Sequence, residues 1–316
     1  MQNSPEKILS ICIPTYNDPQ RIDTLLRCLS NQDLGEVEIV IRDDSLSDNT
    51  EEIVKKYSQL PIRYFRGEKE GFDDAVLFLA GMANGKYFWW FGNDLMEEET
   101  VAKIKTIIAE SQDISLIWLN GRNKFDLNST AIKFQKEGFF NNRNEIIELD
   151  MGLLIAGLTV IKREIILPLI ANAQKYKGLG LMGFYFALGA ISYGGSYYFV
   201  SYPYIISEPK LSGEARLYDP FQMFIINFFI VAKEFENKFN KKSFRNGIVK
   251  QFNQICRAVL VERALGFTTG FGSKTPKIRK MFKYYWNFLE FWMMLPFFLM
   301  PRIVLKYLYK FFKFVR

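Results

Sequence analysis

The chain has 316 residues, 49% of them hydrophobic and 16% aromatic, with a formal net charge of +7. That composition supports at least one sizeable core and excludes a disordered chain. Histidine is absent, which removes imidazole as general base and as metal ligand and leaves any chemistry to carboxylates, hydroxyls, amides and cations.

Residues Met1 to Lys7 lack the basic patch followed by an apolar run that marks an export signal, so the expectation is a protein whose body lies in the cytoplasm. Cys12, Cys28 and Cys256 show no paired metal spacing and read as buried apolar fillers. Ile8 to Pro14 is a short apolar run closed by proline, which predicts a buried first strand. After the turn Thr15 to Pro19, Ile22, Leu25, Leu26 and Leu29 recur at helical spacing and predict a helix over Arg21 to Asn31. Val37 to Ile41 is the second strand; it ends in the acidic stretch Asp43 to Thr50, where Asp48, Asn49 or Thr50 is available to cap a helix running to Tyr57. Ile62 to Phe65 and Asp73 to Ala83 predict the third strand and helix.

Tyr87 to Phe91 carries four consecutive aromatic residues, which suits a strand buried on both faces, and Gly92, Asn93 and Asp94 then place polar oxygens at its carboxyl end. A helix over Glu97 to Ser111 follows. Four strand-helix units in about 110 residues imply a mostly parallel sheet with right-handed crossovers. Ligands of open α/β sheets sit at the strand carboxyl ends, where all of these polar clusters fall. Ile114 to Leu119 predicts a further strand, and Asn120 to Asn144 reads as polar loop. Gly157 to Ile161 predicts a strand, Lys162 to Ala173 and Gly183 to Ile191 helices, and Tyr197 to Val200 and Tyr204 to Ile206 strands. From about Phe221 onward the pattern is helical.

With Pro14-Thr15-Tyr16-Asn17, Asp43-Asp44-Ser45 and Gly92-Asn93-Asp94 in that order, the chain resembles the bacterial family 2 glycosyltransferases of the GT-A fold, in particular the abequosyltransferase-like set that elaborates surface polysaccharides. The similarity covers Ile8 to Ser111 well and continues more loosely to about Arg216. It implies a GT-A-like, mostly parallel nucleotide-binding sheet over residues 1–218 and a helical, basic carboxyl-terminal region over residues 219–316. It also implies that the loop Pro14 to Asn17 binds the nucleotide, with Thr15 and Tyr16 flanking the base. Asp44 then accepts a hydrogen bond from a ring N–H, Asp43 faces the ribose, and Asp73 supports the nucleotide site or starts a helix. Asp94, with Asn93, would hold Mg²⁺ or Mn²⁺ against the diphosphate. Where the family shows two or three acids this chain has only Asp94 behind Asn93, so the metal is expected to arrive with the donor. Arg216 and Lys210 fall where relatives carry a loop over the donor, and a cation there would stabilise the departing diphosphate.

An inverting transfer needs a carboxylate to take the acceptor proton. Relatives carry it about 90 residues after the metal motif, but Tyr176 to Ser207 contains no acid. The remaining candidates are Asp150, ranked first, Glu208, ranked second, and Glu214 or Asp219; each also reads as a solvated surface acid. From Lys277 to Arg316 there are nine basic residues against Glu290 alone, so the positive charge of the chain belongs to its tail. Arg302, Lys306, Lys310 and Lys313 share one helical face among large apolar residues, which predicts a helix lying in an anionic membrane interface. The same aromatics also suit a helical subdomain or the core of a homo-oligomer. Spanning is disfavoured because Glu290 and Pro296 interrupt the apolar stretch Tyr284 to Met300. No nucleic-acid recognition module accompanies the basic residues.

The expected function is metal-dependent transfer of a sugar from a nucleoside diphosphate donor to a hydroxyl of a lipid-linked surface glycan, at the cytoplasmic face of the membrane. The alternative is a non-catalytic nucleotide-sugar or glycan-binding assembly protein on the same fold.

Overall fold

The computed structural model describes residues 7–92, 94–111, 113–124, 130–131, 136–155, 157–207, 219, 221–266 and 277–314. The chain divides into two units, Met1–Arg143 with Leu153–Pro209, and Asn144–Gly152 with Lys210–Arg316. The short segment Asn144–Gly152 thus packs with the carboxyl-terminal residues, where the sequence expectation put a single boundary near residue 218.

The first unit follows the predicted strand-helix alternation. β1 (Leu9–Thr15), α1 (Pro19–Leu29), β2 (Val37–Asp43), α2 (Asn49–Lys55), β3 (Ile62–Arg66), α3 (Phe72–Met82) and β4 (Tyr87–Trp90) form one half of an eight-stranded sheet. After the two-residue β5 (Leu95–Met96) come α4 (Thr100–Glu110), β6 (Ile114–Trp118), β7 (Gly121–Asn123), β8 (Gly138–Phe140) and α5 (Arg143–Asp150), which from Asn144 on belongs to the second unit. Then follow β9 (Thr159–Lys162), α6 (Arg163–Ile166), α7 (Ile170–Ala173), α8 (Met182–Tyr193), β10 (Ser196–Phe199) and β11 (Ile205–Ser207). The large sheet runs β3-β2-β1-β4-β9-β6-β10-β8, and a small second sheet runs β5-β11-β7.

Local chemistry explains most element ends. Asp18 caps α1 by accepting the Arg21 amide at 3.3 Å, and Pro19, which lacks an N–H to leave unsatisfied, opens the helix. Asp48 occupies the cap position of α2 without a capping bond, and its carboxylate instead meets Arg66 at 3.0 Å. The predicted helix over Lys162 to Ala173 is broken: α6 passes through a tight turn at Leu167–Leu169 into α7, because Pro168 removes a backbone donor and crowds the preceding turn.

Two departures from the predicted sheet matter for the site. β9 is inserted antiparallel between β4 and β6, with Phe88 opposite Ile161 and Leu116 opposite Ile161, so the sheet is mostly but not wholly parallel. The stretch from Asn120, expected as loop, supplies β7 and β8. β7 and β5 both pair with β11, which makes the small sheet that starts where β4 stops.

β4 is the buried centre of this arrangement. Tyr87, Phe88 and Trp89 are inaccessible to solvent, and the two polar tips find backbone carbonyls: Tyr87 Oη donates to Ile114 O at 3.0 Å and Trp89 Nε1 to Gly157 O at 2.8 Å. Its entry depends on Gly85, where an added Cβ would fall 2.6 Å from Ser10 N and 2.7 Å from Leu9 C. No other residue lets the two backbones approach so closely.

The second unit is helical. A π-helical turn at Gln222–Asn227 leads into α9 (Phe228–Lys233), and the 25-residue α10 (Lys241–Leu265) forms its spine. α10 is capped by the Asn240 side chain on Lys242 N at 2.8 Å and ends at Gly266 with φ +83°, the left-handed conformation that glycine adopts without cost. α11 (Ile278–Tyr285), α12 (Leu289–Leu299) and α13 (Arg302–Phe314) pack around it. Tyr285 is buried against Phe252, with ring centroids 4.8 Å apart, and donates to Ile225 O at 3.0 Å.

At the amino ends of β1, β2 and β3 one buried carboxylate ties the strands together. Glu38 accepts from Ser10 Oγ at 2.5 Å, Asn84 N at 2.6 Å and Arg63 Nη1 at 2.9 Å. Burial alone would raise its pKa, but the Ser10, Asn84 and Arg63 donors outweigh burial and hold it below the ordinary carboxylate range. A depressed folded pKa gives stability that is present above the unfolded value and lost as pH falls through the folded one. Glu38→Gln is therefore expected to lower unfolding free energy by about 2–3 kcal/mol at pH 7. Urea denaturation of both proteins should show that difference narrowing as pH falls below about 4.

Candidate functional site

The carboxyl ends of β1 and β2 stop side by side, with Pro14 opposite Arg42 and Thr15 opposite Asp43. The loops that leave them are stitched together: Asp44 N donates to Thr15 O at 3.1 Å, Asn17 N to Ser45 Oγ at 2.7 Å, and Leu46 N to the Asn17 side-chain oxygen at 2.9 Å. Asn17 sits at φ +50°, a left-handed conformation that asparagine tolerates better than other side chains, and this turns its amide towards Ser45. Tyr16 is 38% exposed at the rim, with Lys69 Nζ 4.7 Å from its ring centroid.

The two acids of Asp43-Asp44 point to opposite faces, as the period of a strand requires. Asp43 is fully buried and both its oxygens are used internally: Oδ1 accepts Ser45 N at 2.9 Å and Oδ2 accepts Tyr64 Oη at 2.6 Å. Burial first, then the Asp43 carboxylate, pushes the Tyr64 hydroxyl well above its ordinary pKa, so it stays a donor. Asp44 Oδ1 accepts Arg42 Nε at 2.6 Å, and among the described residues its other oxygen has no partner. Of the pair, Asp44 is the one that can accept a hydrogen bond from a ligand. Arg42, which belongs to no motif, is the functional neighbour that the sequence hides; its only signal is a charge inside an apolar strand.

Asp73 stands in the first turn of α3, but its oxygens reach across the fold instead of capping that helix. Oδ2 accepts Gly180 N at 2.7 Å and Oδ1 accepts Met182 N at 3.0 Å. Burial raises its pKa, partly offset by the backbone donors of Gly180, Met182 and Gly178. With Gly178 at φ +79° and Gly180 at φ +73°, this carboxylate fastens the glycine-rich loop to the start of α8. Gly183, in the first turn of α8, touches the Trp90 indole so closely that a Cβ would lie 2.2 Å from Trp90 Nε1. Phe72 meets the same indole edge-on at 5.4 Å.

Asp94 is half-buried between β4 and β5, and Asn93 lies outside the described residues. β5, which Asp94 directly precedes, pairs antiparallel with β11, Ile206 opposite Leu95 and Ile205 opposite Met96. Among the described residues no three acids or thiols cluster as metal ligands. The donor set fits a hard cation such as Mg²⁺ or Mn²⁺ only in the manner that uses one carboxylate and completes the shell with phosphate and water oxygens.

The other candidates fall elsewhere. Asp150, at the end of α5 in the second unit, accepts Gln254 Nε2 at 2.8 Å and lies 3.8 Å from Lys250 Nζ. Asp219 is a helix cap, accepting Phe221 N at 2.9 Å and Gln222 N at 3.1 Å, with Lys277 at 3.3 Å. Glu208, Lys210, Glu214 and Arg216 lie outside the described residues.

The sequence profile of Glycosyl transferase family 2 matches residues 10–166, from β1 into α6. Abequosyltransferase RfbV of Salmonella typhimurium is 34% identical over 116 residues, 34% of this chain and 35% of that protein, so the match spans about a third of the relative's length. S. aureus TarS 1-349, solved in complex with UDP-GlcNAc, superposes with a TM-score of 0.65 at 16% identity, covering 88% of this chain and 80% of that one. Mannosyltransferase PcManGT from Pyrobaculum calidifontis, solved in complex with GDP-Man and Mn2+, gives 0.54 at 14% identity, covering 94% and 89%. At such identities the structural likeness is one of fold, and that fold is GT-A-like. The paired ends of β1 and β2, the sheet built around them and the matched profile together make residues 10–166 a glycosyl transferase family 2 domain, and the chain belongs to that family.

Proposed function

We propose that the protein transfers a sugar from a nucleoside diphosphate donor to a hydroxyl of a lipid-linked surface glycan, with inversion, at the cytoplasmic face of the membrane. The observation that carries the reading is the stitched end of β1 and β2, where one oxygen of Asp44 has no partner among the described residues beside the Thr15–Tyr16 loop. A nucleotide base laid there meets an acceptor for its N–H and the exposed ring of Tyr16. Structural neighbours solved with UDP-GlcNAc and GDP-Man support a nucleotide-sugar donor.

Asp94 is assigned the diphosphate end of the donor, with Mg²⁺ or Mn²⁺ completing its shell from phosphate oxygens. When bound, the cation would neutralise charge on the leaving nucleotide. Arg216 is proposed to supply further positive charge there. Asp43 supports this end of the sheet through Ser45 and Tyr64, and Asp73 holds the glycine-rich loop in place.

The acceptor hydroxyl must lose a proton as it attacks the anomeric carbon. Glu208 directly follows β11, the strand that pairs with β5 just after Asp94, whereas Asp150 already accepts a bond from Gln254. Those observations move Glu208 ahead of Asp150 as the proposed base. Incubation of the protein and Mn²⁺ with a panel of UDP-, GDP-, TDP- and CDP-sugars should give hydrolysis or transfer with one donor, reduced on the order of 10²–10³-fold by Asp94→Ala. Glu208→Gln should lower kcat with little change in donor KM. Nucleotide binding without turnover across the panel would instead favour the non-catalytic assembly protein, which the lack of an acid between Tyr176 and Ser207 also motivates.

Membrane association is proposed for the second unit. α11 to α13 leave Trp286, Leu289, Trp292, Met293, Ile303 and Tyr307 exposed, the first of them 58% accessible. Arg302, Lys306 and Lys310 follow four apart on α13, beside the stripe of Ile303 and Tyr307. Among the described residues no single helix is long and apolar enough to cross a membrane; α12 and α13 pass that test only as a pair bent by 114°. Exposed tryptophans beside a row of cations suit an anionic bilayer surface better than a protein partner. Co-flotation with phosphatidylglycerol vesicles should be strong and with phosphatidylcholine weak. Lys306→Ala with Lys310→Ala should lower the anionic affinity by roughly thirtyfold, at about 1 kcal/mol per cation. Equal recovery with both lipids, or a dimer that buries these tryptophans and floats with neither, would contradict it.

A further inference from the structure

β2 is buried along its whole length, yet its sixth residue is an arginine. Arg42 is 9% exposed, and an enclosed guanidinium persists only where its charge is matched. Each contact that matches it has a definite geometry. Nε donates to Asp44 Oδ1 at 2.6 Å, the Phe78 ring from α3 lies 4.6 Å from Cζ, and Glu70 Oε2 stands 3.7 Å from Nη2. The space for the guanidinium exists because residue 67 is glycine: a Cβ there would fall 1.9 Å from both Cζ and Nη2.

Alternation along the strand puts Arg42 and Asp44 on one face and Asp43 on the other. Arg42 therefore grips Asp44 and leaves Asp43 to Ser45 and Tyr64. The grip is single: Nε takes one oxygen of Asp44, and the second has no partner among the described residues. A carboxylate fixed at one oxygen by a guanidinium that is itself stacked on a ring has little rotational freedom.

We infer that Arg42 is a positioning residue for nucleobase recognition: seated between Phe78 and Gly67, it aims the free oxygen of Asp44 at an N–H of the donor's base. This rests on Asp44 as the base acceptor, the reading proposed above. It also gives Gly67, far from any motif, a defined task. The ligand class is a nucleoside diphosphate, and the part of it that Arg42 governs is the base.

Two variants act on Arg42 in different ways. Arg42→Met removes the charge and keeps an apolar chain against Phe78. Gly67→Ala keeps the charge but places a methyl where the guanidinium sits and so drives the far end of the side chain from its seat, with a thermal melt to check that the fold is retained. Isothermal titration with UDP, GDP, TDP, CDP and inorganic pyrophosphate, each with Mn²⁺, reads the outcome. The wild-type protein should rank the four nucleotides over at least about tenfold, and Asp44→Asn should flatten the ranking. Both Arg42→Met and Gly67→Ala should weaken the preferred nucleotide about tenfold and flatten the ranking, with pyrophosphate affinity unchanged. If Asp44→Asn flattens the ranking while Gly67→Ala and Arg42→Met preserve it, or if pyrophosphate weakens as much as the nucleotide, Arg42 has only a structural role and the inference is overturned. If the wild-type protein binds none of the four, the nucleotide reading of Asp44 fails and takes this inference with it.

Discussion

The parallel pairing of β1 with β2, continuous from Leu9 opposite Val37 to Thr15 opposite Asp43, is the constraint on which the candidate site depends. Because both strands end at the same level, the loop after one can bond the loop after the other, and three hydrogen bonds between residues 15–17 and 44–46 do so. A slip of one residue would exchange the faces of Asp43 and Asp44 and with them the roles of the two acids. The register is held at the opposite end by Glu38, which joins Ser10 of β1 to Arg63 of β3 and to the turn before β4. One end of the sheet therefore spends its buried carboxylate entirely on the fold, while the other keeps a carboxylate oxygen in reserve.

The same division separates Asp43 and Asp73 from Asp44 in the first unit. Asp43 and Asp73 have both oxygens engaged by protein donors, which makes them fasteners: one for the β2 loop, one for the glycine-rich loop and the start of α8. Asp44 sits where the chain leaves β2 for the loop that enters α2, with one oxygen held by Arg42. The helical unit follows different physics, with a buried aromatic cluster around Tyr285 and with Trp286 and Trp292 exposed.

Much of this was legible in the amino-acid sequence, for reasons that differ by element. β1, β2, β4 and β6 are buried on both faces and so appear as largely apolar runs, and α1 shows its Ile22, Leu25, Leu26 and Leu29 stripe directly. β5, β7 and β8 are two or three residues long and exist only through partners distant in sequence, so no local pattern announces them. The antiparallel sense of β9 is equally silent, because apolar residues do not record the direction of a neighbour. At the site, the order of the Thr15, Asp44 and Asp94 motifs was readable, but adjacent Asp43 and Asp44 look alike until strand alternation separates them. Arg42 was invisible because what gives it meaning, Phe78 and Gly67, is brought to it by α3 and the loop before it.

The central claim is that a nucleotide base lies on the stitched end of β1 and β2 with Asp44 as its acceptor. A crystal structure of the protein with its donor nucleotide and Mn²⁺ tests this most directly. The account predicts a base N–H within hydrogen-bond distance of the Asp44 oxygen that Arg42 does not hold, Tyr16 beside the base, and the diphosphate next to Asp94. A base bound elsewhere, with that Asp44 oxygen still without a partner, would contradict it.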